Sequence, residues 1–261
     1  MQLFFGTITF DSAPIDTSEA VVAKGTVSSI SDSTEDTPVS VKAFGQTGTR
    51  MLNIGPGTRI QVVQGTINRG KNFTYIVQVS RYIVLPSTLD SEMYPDWHEV
   101  VLAGRTVKDL DLNDNRQYYS GDNFETIKRD IAVNQGKDKA DFFTFSTYSK
   151  LDARFKVSEL VKKYVSGKGT YVMVRGVLSS RRAYKPNSEG VKPLFTEISC
   201  NQLFLGPKTS SGPSSNGNGY SSNGHSSNGH SPEQPRVPQA YLAAPLPGAQ
   251  PQVSTDDDLP F

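Results

Sequence analysis

GPGTRIQVVQGTI (Gly55–Ile67) and GKGTYVMVRGVL (Gly167–Leu178) decide how this chain is read. Both open on G-x-G-T, run on as an alternating strand, reach a further glycine and place an apolar residue two positions later. The first copy has one extra residue before its third glycine, which reads as a bulge. A strand ending in an aromatic precedes each copy: VKAFGQ with Phe44, and FSTYSK with Tyr148. Two diverged copies of one unit explain this better than a single large sheet.

Around these stretches the first 208 residues read mainly as strands. VVAKGTVSSI, PVSVKAFG, TRIQVVQGTI and FTYIVQVSRYIVL are short, alternating and rich in Val, Ile, Thr and Tyr, with turn residues between them. WHEVVLAGR, ETIKRDIAVN, DFFTFSTYS, TYVMVRGVL and LFTEISCNQLFLG repeat the theme. LDARFKVSELVKKYVSGKG departs from it: its apolar residues fall near helical spacing, Lys162 and Lys163 close the last turn and Gly167 stops it, which predicts one helix at roughly 152–165. Five strands per copy with a helix between the third and fourth match the oligonucleotide-binding (OB) barrel, whereas a small sandwich has no place for the helix. The expected fold is all-β: two tandem five-stranded OB barrels over residues 1–92 and 95–207, the second with a short helix, followed by a disordered tail.

The tail is set apart by composition. Residues 208–255 repeat SSNG and then turn rich in Pro, Gln and Ala, too apolar-poor to offset the entropy of ordering. His225 and His230 lie within the repeats and lack further ligands for a metal. The chain closes on DDDLPF: Asp256, Asp257 and Asp258 followed by Leu259, Pro260 and Phe261. The net charge of +1 conceals a division, because residues 1–94 carry seven basic and eight acidic residues while 95–208 carry nineteen and fourteen. Positive charge therefore gathers in the second copy, and the tail opposes it.

The lone Cys200 can form no intrachain disulfide, which suits a reducing compartment. The amino terminus lacks the basic segment of a signal peptide, and no apolar run reaches the ~18 residues of a membrane helix. These features predict a soluble cytoplasmic protein with no membrane partner. No P-loop, CxxC, HExxH or GxSxG is present. Asp109, Asp111 and Asp114 lack the central Gly and terminal Glu of a calcium loop and read as a solvated turn. No catalysis, metal or cofactor is expected.

The second copy interleaves aromatic and basic residues instead. Alternation places Phe143 and Phe145 on one face of their strand and Phe142 and Tyr148 on the other. Phe143, Phe145 and Phe155 are expected in the core. Phe142, Tyr148 and Tyr184 are expected to stack bases, with Lys137, Lys139, Lys150, Arg175, Arg181, Arg182 and Lys185 on phosphates. In the first copy Phe44, Arg69, Lys71 and Phe73 are the corresponding candidates.

At this point the residues resemble the bacterial single-stranded DNA-binding protein family. WHEVVLAGR, DFFTFSTYSKLDAR, YVSGKGTYVMVRGVLSSR and FTEISCNQLFLG resemble its strands in order and spacing, and DDDLPF resembles its acidic tip. The resemblance implies stacking roles for Phe142 and Tyr148, followed by Lys150 and Leu151. It places a third stacking aromatic at Ala183, where this chain departs and Tyr184 stands next to the position. Pro38 replaces one stacking position of the first copy, beside a retained Phe44-Gly45. The implied function is sequence-tolerant binding and protection of single-stranded DNA in replication, recombination and repair. The implied partners are replication and repair proteins docking on the tip, and the implied assembly is a homodimer presenting four barrels at the bacterial nucleoid. An RNA-binding barrel protein and a scaffold with a docking tail are the alternatives, since stacking alone does not read the sugar.

Overall fold

The computed structural model describes residues 1–30, 34–70, 74–88, 95–136, 139–183, 186 and 190–206. The tail and its tip lie outside the described residues, as do Lys71, Phe73, Lys137, Tyr184 and Lys185.

The described residues form twelve strands and two short helices. The first set is β1 (Gln2–Phe10), β2 (Ile15–Asp16), β3 (Val21–Val27), β4 (Thr37–Ala43), α1 (Gly45–Met51), β5 (Arg59–Arg69) and β6 (Tyr75–Val84). The second is β7 (His98–Thr106), β8 (Tyr118–Ser120), β9 (Phe124–Gly136), β10 (Lys139–Lys150), α2 (Val157–Tyr164), β11 (Tyr171–Arg182) and β12 (Leu194–Leu205). β1, β3, β4, β6 and β5 close into a barrel by neighbouring pairs, β4 and β6 running parallel and the rest antiparallel. β7, β9, β10, β12 and β11 close the same way, again with one parallel pair, β10–β12. Both are OB barrels.

The internal likeness survives in three dimensions. Gly57 and Gly169 hold φ of +79° and +78° at the turns that launch β5 and β11, a conformation glycine adopts without strain. The extra residue of the first copy is a bulge, as its spacing predicts: Val63 and Gln64 are both exposed where the β5–β6 register slips. Each copy also has its helix in the same place. α2 is shorter than the expected 152–165, because the backbone is still extended at Lys156. α1 was not expected; GQTGTRM has no apolar periodicity, and Met51 supplies its one large buried side chain. Phe155, expected in the core, is 69% exposed because it precedes α2 instead of lying on its packed face.

Alternation along each strand sorts the core. In β9 every second residue from Glu125 to Val133 is buried while its neighbours reach the surface. Glu125 itself accepts hydrogen bonds from Ser158, from Lys162 at 2.5 Å and from Tyr118 at 3.3 Å, which ties α2 to the sheet. Burial alone would raise its carboxyl, but these donors together hold it below the ordinary range.

The barrels share a seam. One edge of β1 divides its pairing: Gln2–Gly6 pairs with β7, and Thr9–Phe10 with β3. β7 divides its own edge likewise, between β1 and β9. At the crossing, Gly6 has φ of +139° and faces the His98 backbone so closely that a Cβ would stand 2.5 Å from its Cα. A second contact line runs from the Glu35–Ser180 bridge through Thr37 and Ser180, hydroxyls 2.8 Å apart, to Tyr75 stacked on Phe143. Buried apolar residues of both barrels accordingly form one continuous cluster.

Candidate nucleic-acid interface

β10 sets the candidate site. Its inward residues Phe143 and Phe145 are buried, as expected, while Phe142 and Tyr148 stand 57% and 53% exposed on the outer face. The two rings are six positions apart, or about 20 Å along an extended strand, so no single base can touch both.

Tyr148 is supported from below. Its ring stacks on Phe124 with centroids 5.1 Å apart, and Phe124 tilts against Tyr119 at 5.7 Å. Strand register explains the grouping: Tyr148 and Tyr119 both oppose Thr126 of β9, and Lys150 opposes Phe124. A ladder of three rings beside an exposed lysine results. Neither Tyr119 nor Phe124 was singled out from the sequence, because the strand there was read as starting at Glu125. The available signal was the outward position of Phe124, in phase with Thr126 and Lys128.

Phe142 meets the first barrel. Phe142, Arg69, Gly70, Asp130 and Thr144 line a hollow of about 540 Å³. The Arg69 backbone N–H donates to Asp141 at 3.0 Å, and its guanidinium lies 4.8 Å from the centroid of the Tyr75 ring. Burial pushes the Tyr75 hydroxyl up to about 12 despite that cation, so it stays protonated. Arg69, grouped by sequence with a hairpin of the first barrel, thus reaches the second barrel's surface.

The remaining basic residues divide. Lys139 is exposed where β10 begins. Arg181 is exposed near the end of β11, with no ion pair among the described residues. Arg182 donates to Glu35 of the first barrel at 2.9 Å. Arg175 lies about 20 Å back along β11 from Arg181 and grips both Glu99 oxygens at 2.6 Å. Neither arginine projects an unengaged guanidinium. Phe44 is 43% exposed beside the start of α1, with Lys42 Nζ 5.0 Å from its ring centroid.

The acidic turn behaves as a turn. Asp109 accepts the Lys168 backbone N–H at 2.7 Å, Asp111 that of Asn113 at 2.9 Å, and Asp114 that of Arg116 at 3.0 Å. The Arg116 side chain and backbone hydrogen bonds draw Asp114 down to about 2. Among the described residues no group of three or more His, Cys, Asp or Glu could hold a metal, and no helix is long and apolar enough to cross a membrane.

The class this architecture defines is the tandem OB-barrel protein with an aromatic and basic outer face. Among solved structures, the wild-type single-stranded DNA-binding protein from Thermus aquaticus is similar with a TM-score of 0.54 and 15% identity, covering 83% of this chain and 97% of that one. A deletion variant of the same protein gives a TM-score of 0.55 and 14% identity, covering 80% and 95%. The chain therefore has the fold of those structures. No family model and no curated protein matches its sequence.

Proposed function

We propose that this chain binds single-stranded DNA without sequence preference, does no catalysis, and protects exposed strands in replication, recombination and repair. The carrying observation is the pair Phe142 and Tyr148, large rings more than half exposed on a strand whose alternate residues fill the core. Rings so exposed contribute little to the barrel's core and are free to stack bases at ~1–3 kcal/mol each. Lys150, Lys139, Arg181 and Arg69 lie on the same side of the reading, as salt-sensitive phosphate contacts. Lys137, Tyr184 and Lys185 extend it onto the hairpins, while Arg175 and Arg182 join only if DNA displaces their carboxylate partners.

In this reading residues 95–207 are the main binding domain, and residues 1–92, with Phe44, Lys71 and Phe73, a weaker one. Residues 208–255 tether the tip Asp256–Phe261, whose ring and carboxylates recruit replication and repair proteins. Exposed Ile83 and Val84 at the end of β6, with Phe204 and Leu205 at the equivalent end of β12, support a homodimer, and the DNA-binding reading itself puts that dimer at the bacterial nucleoid. The test is anisotropy of labelled dT oligomers titrated with the full chain across a salt series. Tight, salt-dependent binding is expected. Absence of binding at low salt overturns the reading, and preference for RNA of equal length transfers it to RNA.

A further inference from the structure

Phe195, at the start of β12, is 62% exposed and belongs to none of the stacking positions described above. It sits over a groove of about 610 Å³ between the two barrels. Pro38, Arg69 and Thr74 come from the first barrel, and Lys128, Thr144 and Phe195 from the second. This groove adjoins the hollow beside Phe142, since Arg69 and Thr144 line both. On the neighbouring strand Arg181 is the direct cross-strand partner of Phe195. Phe195 and Arg181, both exposed, thus stand directly opposite each other, with Cβ atoms about 5 Å apart across the ladder.

Charge decides what fits. Lys128 is engaged by Glu197 at 2.6 Å, and that is the acid in the groove. Against it stand Arg69 and Lys128, with Arg181 beside the ring, so the groove itself is net cationic around apolar walls. Asp130 and Asp141 lie in the adjoining hollow, Asp130 bonded by Thr144 and Asp141 by the Arg69 backbone. Flat apolar surfaces alternating with cations suit a polymer of planar rings and phosphates. Stacking platforms of this kind tolerate any base because every base offers a π-face.

We propose that the groove carries single-stranded DNA from Phe142 across the seam between the barrels, with one base stacked on Phe195 and its phosphate on Arg181. The proposal rests on the reading of the chain as a single-stranded DNA binder. It joins the two barrels into one binding track, with Pro38 supplying a first-barrel wall at the position where the resemblance implies a stacking aromatic.

The test uses the full chain and a dT oligomer long enough to span both barrels, with Phe142→Ala as the reference variant. Phe195→Ala is expected to weaken binding about 5- to 100-fold, and Phe195→Trp to restore it. Arg181→Gln is expected to reduce the slope of log affinity against log salt by about one. Substituting 5-iodouridine for thymidine should give a photo-crosslink at Phe195. If Phe142→Ala is weakened while Phe195→Ala binds as wild type and no crosslink forms there, the track does not cross the groove. If the wild type itself does not bind, the parent reading falls first, and that result is distinct from loss of the groove alone.

Discussion

Tyr75 of β6 lies parallel to Phe143 of β10, ring centroids 6.2 Å apart and planes 10° from each other. One ring belongs to each barrel, and both are fully buried. The seam is thus filled like a core, continuous with the apolar clusters on either side. Phe143→Ala should cost about 3–5 kcal/mol and lower the stability of both barrels together. Chemical denaturation followed by Trp97 fluorescence and by far-ultraviolet circular dichroism should give coincident transitions. Two separated transitions would mean the barrels unfold independently.

The rings of β10's outer face should behave in the opposite way. Phe142→Ala and Tyr148→Ala are each expected to weaken binding of dT oligomers by ~1–3 kcal/mol while leaving the unfolding midpoint close to that of the wild type. Phe124→Ala should weaken binding as well, by removing the ring that holds Tyr148 in place at 5.1 Å. Titration and denaturation of the same three variants check both halves. Normal binding by Phe142→Ala and Tyr148→Ala would remove the stacking assignment.

Most of the fold was legible because alternation and turn chemistry agree along the strands. GPGT and GKGT marked the same turn twice, and both glycines hold the left-handed conformation that turn needs. β1 was harder to see: QLFFGTITF alternates poorly, since three consecutive residues, Gly6, Thr7 and Ile8, are buried at the crossing of two barrels. α1 was invisible because a seven-residue helix with two glycines owes its existence to where the chain must turn, not to propensity. Phe142 and Tyr148 could be placed from local spacing. Arg69 against Asp141, and Phe195 beside Arg181, depend on contacts between distant segments and on strand register, which no short window contains.

The tip Asp256–Phe261 offers a prediction independent of the barrels. Deleting it should leave affinity for dT oligomers unchanged or slightly raised, because an anionic tail competes with DNA for cationic surface. The same deletion should abolish capture of replication and repair proteins by the full chain. Anisotropy and pull-down on one preparation check the two arms, and a clear fall in DNA affinity would contradict the first.

His98 makes stability depend on pH. Its ring is buried against Phe4, and its Nε2 accepts the Leu178 backbone N–H at 2.9 Å, which requires the neutral imidazole. Burial lowers its pKa from 6.5 to about 4, with the Leu178 carbonyl and Asp96 pulling weakly the other way. Below 6.5 the unfolded chain gains a proton that the folded chain refuses. The contribution is therefore complete above that pH and declines as pH falls toward 4, by up to about 1.4 kcal/mol per unit. His98→Gln keeps an acceptor for Leu178 and cannot titrate. Urea midpoints from neutral pH to about pH 5 should fall less steeply for that variant, and parallel curves would exclude His98 as the source.

Gly6 tests whether the seam is held as tightly as its geometry requires. Its φ of +139° is closed to side-chain-bearing residues without strain, and an added Cβ would meet the His98 Cα and Cβ at 2.5 Å and the Trp97 carbonyl at 2.6 Å. None of these neighbours is the movable end of a long side chain, so β1 and β7 would have to separate. Gly6→Ala should cost about 1–3 kcal/mol in backbone strain alone, with the clash in addition. Amide exchange should rise along Gln2–Gly6 and His98–Leu102, the paired segments. Phe142 and Tyr148 lie on β10, away from this ladder, so short oligomers should bind the folded variant with nearly wild-type affinity. A variant as stable as the wild type would mean that β1 and β7 do not meet in this register.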